Sequence, residues 1–392
     1  MTAPATRSLP LRAAFVSHYP HLRMGGQRSM ALLIEHLDRA VVLPLAICPG
    51  PGELTDHLER LGCPVIHIPL HPIKPRTALA VWRSIRQIRA VLKRESIDII
   101  APDAERDTLV CGLAKLGTQA RLAWFVALTR PDRNLDPILE RLADGIIGVS
   151  DDTRRRFSDT PRISARYRTI LGGADLRRFH PAADRAALRQ TLGLPVDRPV
   201  LLYVGQVTEA KGVLDIVEAL RLLYQGPHRP LLLVVGTPHP PGFEAEIARR
   251  ATTHGTADAV RVLPQQPDIE RWMQAADIVI SGSHDNTEGM SRVLYEAMAC
   301  GAALVATDIR GNRDAVFPDS GVLVPERDPA AMAHAVAGLL AAPARLQAMG
   351  AAGARRARSS FDIHQHARNV EAFFTYLAGE AGGSMTRRRS GP

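Results

Sequence analysis

Three short segments combine glycine with charged or polar side chains in a way that could do chemistry. The most informative is Thr287-Glu288-Gly289-Met290-Ser291-Arg292-Val293-Leu294-Tyr295-Glu296-Ala297-Met298-Ala299-Cys300-Gly301. Glu288 sits in a loop, and Glu296 falls about a turn and a half inside the helical pattern that follows. From 291 to 296 such a helix advances roughly 7–8 Å. Carboxylates set that far apart do not easily share one proton or one metal ion. They suit two parts of an extended ligand, such as a sugar and a ribose, whose vicinal hydroxyls donate to carboxylate oxygens. The N–H groups of Gly289, Met290 and Ser291, expected in the first helical turn, would face phosphates between them.

The second segment, Gly205-Gln206-Val207-Thr208-Glu209-Ala210-Lys211-Gly212, runs into a helical pattern over Val213–Leu223. Lys211 is one of only four lysines in a chain with 49 basic residues. An ammonium beside the positive end of a helix suits a diphosphate. The third segment, His18-Tyr19-Pro20-His21-Leu22-Arg23-Met24-Gly25-Gly26, also opens a helix. Paired glycines there let backbone N–H groups approach a phosphate with no Cβ in the way. No GxGxxG follows a strand pattern, which argues against a nicotinamide dehydrogenase. No Asp-x-Asp pair is present to hold Mg²⁺ against a diphosphate.

Each segment must be held by a strand before it and a helix after it, and the chain supplies that rhythm throughout. Short apolar runs at 11–17, 41–48, 64–70, 98–102, 121–127, 145–150 and 168–172 alternate with helical periods at 26–37, 53–61, 77–95 and 105–116. The same rhythm returns at 199–205, 230–236, 260–263, 277–281, 303–307 and 321–324. Nearly continuous apolar strands between helices predict parallel sheets covered on both faces, hence an α/β chain of two doubly wound domains. The boundary is expected near 180, where Phe179-His180-Pro181-Ala182 precedes a polar helix over 184–192. The expected organisation is a first domain over 1–180, a second over 181–365, a helix over 366–382 crossing back to the first, and a disordered basic tail over 383–392. In such folds ligands bind beyond the carboxyl ends of the strands, and two such domains make a cleft between them.

Together the three segments resemble the retaining glycosyltransferases of family four (GT4, glycosyl transferases group 1), which have the GT-B architecture. Glu288 and Glu296 fit that family's EX7E motif, and Gly205–Gly212 is similar to its G-R-L-x-x-E-K-G loop. Leu171-Gly172-Gly173-Ala174-Asp175-Leu176-Arg177-Arg178-Phe179-His180-Pro181 resembles its interdomain segment, and Gly25-Gly26 its first glycine loop. The resemblance spans residues 11–375. It implies two Rossmann-like domains, the first on the acceptor side and the second binding the nucleotide sugar. It also implies metal-independent transfer of a hexose-type sugar, with retention, from a UDP- or GDP-sugar to a glycan, lipid-linked or small-molecule acceptor. It implies no cofactor. Lys211 and Glu288 would be catalytic, with Gly25, Gly26, Gly205, Gln206, Gly289, Met290, Ser291 and Glu296 binding the donor. Three departures stand out: Gln206 replaces an arginine, Ala127-Leu128-Thr129 stand where a histidine is common, and Gly172 replaces the usual Asn. His18 and His21 are the candidates to stand in for the missing histidine. A nucleotide-sugar 2-epimerase and a non-catalytic sugar-binding protein on the same frame remain the alternatives.

Charge bears on partners. The chain of 392 residues has formal net charge +9, with 46% apolar and 23% charged residues, which excludes disorder throughout. The basic excess lies in the first 180 residues, which suits an anionic partner. A period-3.6 helix over 77–95 carries Val81, Ile85, Ile88 and Leu92 with Arg83, Arg86, Arg89, Lys93 and Arg94, so it could pack on the sheet or lie on anionic lipid. Nucleic acid is not expected, for want of any RNA-binding signature. Four scattered cysteines and no apolar run near 20 residues point to a protein of the reducing cytoplasm, at most peripheral to the inner face of a membrane.

Overall fold

The computed structural model describes residues 9–22, 24–285 and 289–384. They form two compact units, one comprising 9–172 with 363–384 and the other 173–362. All thirteen expected strands form, each within two or three residues of its apolar run.

In the first unit these are β1 (Leu11–Val16), β2 (Val42–Cys48), β3 (Val65–His67), β4 (Ile99–Pro102), β5 (Arg121–Val126), β6 (Gly145–Gly148) and β7 (Tyr167–Thr169). They pair in parallel in the order β3-β2-β1-β4-β5-β6-β7. Side chains of β1 alternate between two cores, as the pleat requires. Leu11, Ala13 and Phe15 join Met30, Ile34 and Phe374, while Ala14 and Val16 join Ile88, Leu92 and Trp124. The final helix, Ile363–Ser384, packs on this unit. A Cβ at Gly145 would lie 2.6 Å from Leu377 Cδ1, so the glycine lets the helix come down onto β6. Of the expected disordered tail, Gly383 and Ser384 belong to this helix, and 385–392 lie outside the described residues.

The second unit contains β8 (Val200–Val204), β9 (Leu231–Val235), β10 (Val260–Leu263), β11 (Ile278–Ser281), β12 (Ala303–Thr307) and β13 (Gly321–Val324). These are also parallel, in the order β10-β9-β8-β11-β12-β13. The units divide at Gly172–Gly173 rather than at 180. The reason is that 174–181 already makes second-unit contacts: Ala174 N–H donates to Phe361 O (2.7 Å), Arg178 pairs with Glu270 (2.7 Å), and Gln274 Nε2 donates to His180 O (2.8 Å). Among the described residues no helix is long and apolar enough to cross a membrane.

Candidate functional site

Both sheets reverse their winding direction between two central strands, β1 and β4 in the first and β8 and β11 in the second. Loops leaving such neighbours part in opposite directions and open a crevice at the carboxyl edge. The second-unit edge is built with little slack. A Cβ at Gly236, after β9, would lie 1.7 Å from Gly205 O, after β8. The β8 loop then closes a single 3₁₀ turn over Glu209–Lys211, where Thr208 Oγ1 accepts from Lys211 N–H (3.3 Å). Gly212 follows in the left-handed region at φ +63°, and a Cβ there would fall 1.9 Å from Gly282 O. Glycine is therefore required twice over at 212, by backbone sign and by the neighbouring strand's loop.

That contact brings Lys211 beside the segment following β11. His284 N–H donates to Ala210 O (3.0 Å), and His284 Nε2 lies 2.8 Å from Asp215 Oδ2. Lys211 is half-buried, whereas Gln206 is exposed and its carbonyl accepts from Tyr203 OH (2.6 Å). The strand ends beyond are tied together as well. Arg310 pairs with Asp285 (3.0 Å), Asp285 N–H donates to Glu326 (2.8 Å), and Thr307 Oγ1 donates to Ser283 O (2.5 Å). Asp215, His284, Asp285, Arg310 and Glu326 were not singled out from the sequence. Their common signal is position, since most of them follow closely on a strand of this sheet.

Glu288 lies outside the described residues. Gly289 and Ser291 are buried and Met290 is half-buried. The helix expected to begin at Gly289 instead runs Arg292–Ala299, with Ser291 as its extended N-cap at ψ 107°. The physical reason is that Ser291 is extended, outside the helical region, and its N–H is fixed by Gly311 O (3.2 Å). Glu296 is 7% exposed, and its Oε1 accepts from Arg292 Nη2 (2.7 Å) and Nε (3.3 Å). Burial opposes the Arg292 charge, but Glu296 outweighs it and holds the guanidinium above its ordinary range. Oε2 of Glu296 takes no part in that pair.

In the first unit, Gly25 and Gly26 open the helix Gly25–His36, and both are exposed. A Cβ at Gly26 would meet nothing within 4 Å, so packing does not demand this glycine. Next to it, Gln27 and the loop residues of β1 and β4 form a cluster that the sequence did not reveal. His18 Nδ1 lies 2.5 Å from Asp107 Oδ2, and Gln27 Nε2 donates to Asp103 Oδ2 (2.7 Å). Burial, and then the neighbouring Asp107, push the Asp103 carboxyl up to about 6. His18, Asp103 and Asp107 are the one grouping among the described residues whose His and carboxylate atoms all lie within 4.8 Å. The contact of His18 with Asp107 is a hydrogen bond, since two ligands of one ion at about 2.1 Å from it stand about 3 Å apart. His21 is half-buried and makes no side-chain hydrogen bond with a described residue. All four cysteines are buried and unpaired, and burial pushes Cys48 up to about 12 and Cys63 to about 11, so neither is a thiolate near neutral pH.

With this geometry in place, likeness to known proteins can be stated. Residues 184–356 match the family described as Glycosyl transferases group 1. The chain is 35% identical over 238 residues to a D-inositol 3-phosphate glycosyltransferase of Kineococcus radiotolerans, covering 55% of this chain and 53% of that protein. The match thus spans about half the length of that relative. It is 26% identical to the lipopolysaccharide core biosynthesis mannosyltransferase LpsB of Rhizobium meliloti, over 91% of this chain and 95% of the relative. In fold it is similar to a glycosyltransferase of Rickettsia africae (TM-score 0.82, 17% identity, 94% of this chain and 98% of the other). It is also similar to HepE of Anabaena, solved with UDP and glucose (TM-score 0.78, 19% identity, 93% and 100% covered). The two Rossmann-like units are those of the GT-B fold, and within the second of them the segment 184–356 is similar to the glycosyl transferases group 1.

Proposed function

We propose that the protein transfers a hexose-type sugar from a UDP- or GDP-sugar to a glycan, lipid-linked or small-molecule acceptor, with retention and without a metal ion. The observation that carries this reading is the second-unit switch point, where Gly212 against Gly282 sets Lys211 beside the segment leading to Glu288 and Glu296. HepE, a structural neighbour, was solved with UDP and glucose, which supports a nucleotide-sugar donor. In this reading Glu296 holds the ribose through Oε2 while Arg292 fixes its other oxygen, and Glu288 contacts the donor sugar. Lys211, with Gly205, Gln206 and the backbone at Gly289 and Met290, stabilises charge on the departing diphosphate. Gly25 and Gly26 are assigned to phosphate binding in the same reading. The bond from the anomeric carbon to the diphosphate breaks as the acceptor oxygen bonds to the same face. The acceptor proton leaves on the departing phosphate, so no carboxylate becomes covalently attached. Because Ser291 N–H already serves Gly311, leaving-group stabilisation falls mainly on Lys211.

The test is product formation from UDP-glucose and GDP-mannose with a mixed glycan acceptor extract, with and without chelator, and the anomeric configuration of the product read by NMR. A retained anomer formed equally with chelator is expected. Rearrangement of the donor alone would instead indicate an epimerase, and nucleotide binding with no turnover would indicate a binding protein.

A separate observation favours contact with an anionic membrane. Helix Ala78–Arg94 buries Ser84, Ile88, Val91 and Leu92, yet Leu79 (61%) and Trp82 (50%) are exposed on it, as is Ile73 (47%) just before. From 61 to 94 there is no acidic residue, and Arg86 lies 4.7 Å above the Trp82 ring. Apolar side chains ringed by cations suit a lipid headgroup layer. Flotation with phosphatidylglycerol vesicles at low salt should recover the protein, and Trp82→Ser with Leu79→Ser should release it. Equal flotation of that variant would refute the contact.

A further inference from the structure

His284, just beyond β11, is 8% exposed and fastened at two points. Its backbone N–H donates to Ala210 O (3.0 Å), in the turn that carries Lys211. Its ring Nε2 lies 2.8 Å from Asp215 Oδ2, in the first turn of the helix Val213–Leu223. Ala210 and Asp215 stand on either side of Lys211 in the chain, so His284 closes a ring around the segment that presents the ammonium. Within that ring Gly212 meets Gly282 backbone to backbone, a further contact between the same two loops.

The loop that does this fastening is itself fixed. Ser283 O accepts from Thr307 Oγ1 (2.5 Å), Asp285 N–H donates to Glu326 (2.8 Å), and Asp285 pairs with Arg310 (3.0 Å). Each residue from Gly282 to Asp285 therefore has a partner outside its own loop. A lysine carries its charge on a flexible four-carbon stem, so the ammonium is placed no better than the backbone beneath it. A reacting group displaced by about 1 Å can lose about 100-fold in rate. A directional polar pair, nearly buried, is the means by which a fold locks such a group in place.

We propose that His284, locked by Asp215, is the positioning residue for Lys211, and that it sets the ammonium against the diphosphate without itself contacting the donor. The inference rests on the transfer reading and deepens it, since that reading gives Lys211 the charge of the leaving group.

Two measurements on the full chain test it. In the first, acetylation by limiting acetic anhydride is followed by peptide mass spectrometry, with the exposed Lys74 and Lys93 as references. His284→Ala should raise the labelling rate of Lys211 relative to these at least threefold. His284→Gln, whose amide can reach Asp215, should restore it. In the second, His284→Ala should lower kcat at least tenfold while the affinity for UDP and GDP changes less than twofold. Asp215→Ala should do the same, and the double variant should be no worse than either single one. Glutamine at 284 should recover most of the kcat, a rescue and a kcat-only effect that general destabilisation would not give. If His284→Ala fails to fold, Asp215→Ala, at a side chain 28% exposed, carries the same expectations. Wild-type labelling of Lys211 in the alanine variants, additive losses in the double variant, or no rescue by glutamine would overturn the proposal. Unchanged turnover in Lys211→Ala would instead count against the transfer reading, while the labelling still decides whether His284 holds Lys211.

Discussion

The two carboxyl edges of this molecule share a strand order and differ in how they are finished. At the second edge, backbone meets backbone: Gly212 touches Gly282, Gly236 touches Gly205, and charges are paired as Arg310–Asp285 and Arg292–Glu296. At the first edge, side chains meet with bonds left unmade, at Asp103 Oδ1 and Gln27 Oε1, and Gly26 beside them opens onto free space. Polar atoms already paired need no ligand to be stable. Atoms left unpaired in a buried place carry a cost that only a ligand or water removes. The difference is one of degree, since Gly52 also meets Pro20 O at the first edge and Asn312 Oδ1 is also unpaired beyond β12. The tightest glycine contacts with a carbonyl, 1.7 and 1.9 Å from the place of a Cβ, nevertheless lie at the second edge.

The sharpest way to break this contrast is at the glycines. Gly212→Val sets a β-branched residue at φ +63° against a carbonyl, and should cost about 4 kcal/mol or abolish folding of the second unit, as read by urea denaturation. A small loss would mean the frame is not rigid.

The next effect concerns Asp103. Its folded value of about 6 lies above the ordinary 3.8, so the unfolded chain ionises first as pH rises. The folded state therefore loses stability between pH 4 and 6 and carries the full penalty above it. Asp103→Asn should stabilise the protein by about 2–3 kcal/mol at pH 7.5, with the difference vanishing near pH 4. A gain independent of pH would show that the carboxyl is not strained by burial.

Lys211→Ala should leave folding intact and lower kcat by about 10–100-fold, equivalent to about 1.5–3 kcal/mol for a charge-assisted contact. The smallest structural effect is expected at Gly26→Ala, no more than about 1 kcal/mol in stability, with donor KM raised under the proposed reading, in which a phosphate approaches this backbone. Unchanged kinetics there would assign the glycine pair to a turn.

How much of this was legible from residues alone follows the same division. The strands could be read because each is a continuous apolar run, and the second-edge loops because their glycines and charges are consecutive in sequence. The start of the 292–299 helix was misplaced because Ser291 N–H finds Gly311, twenty residues onward, a contact no local pattern encodes. The interdomain boundary shifted for a similar reason, since Ala174 is fixed by Phe361. The first-edge cluster draws on residues 18, 27, 103 and 107, which only the β1–β4 pairing brings together. Its histidine and carboxylates look ordinary when read one at a time.

The central claim, that the second edge is a nucleotide-sugar frame, is tested most directly by calorimetric titration of UDP, GDP and ADP into the wild type and Glu296→Ala. One of the nucleotides should bind the wild type and be weakened at least tenfold in the variant. Equal affinity for both proteins, or no heat from any nucleotide, would contradict the account.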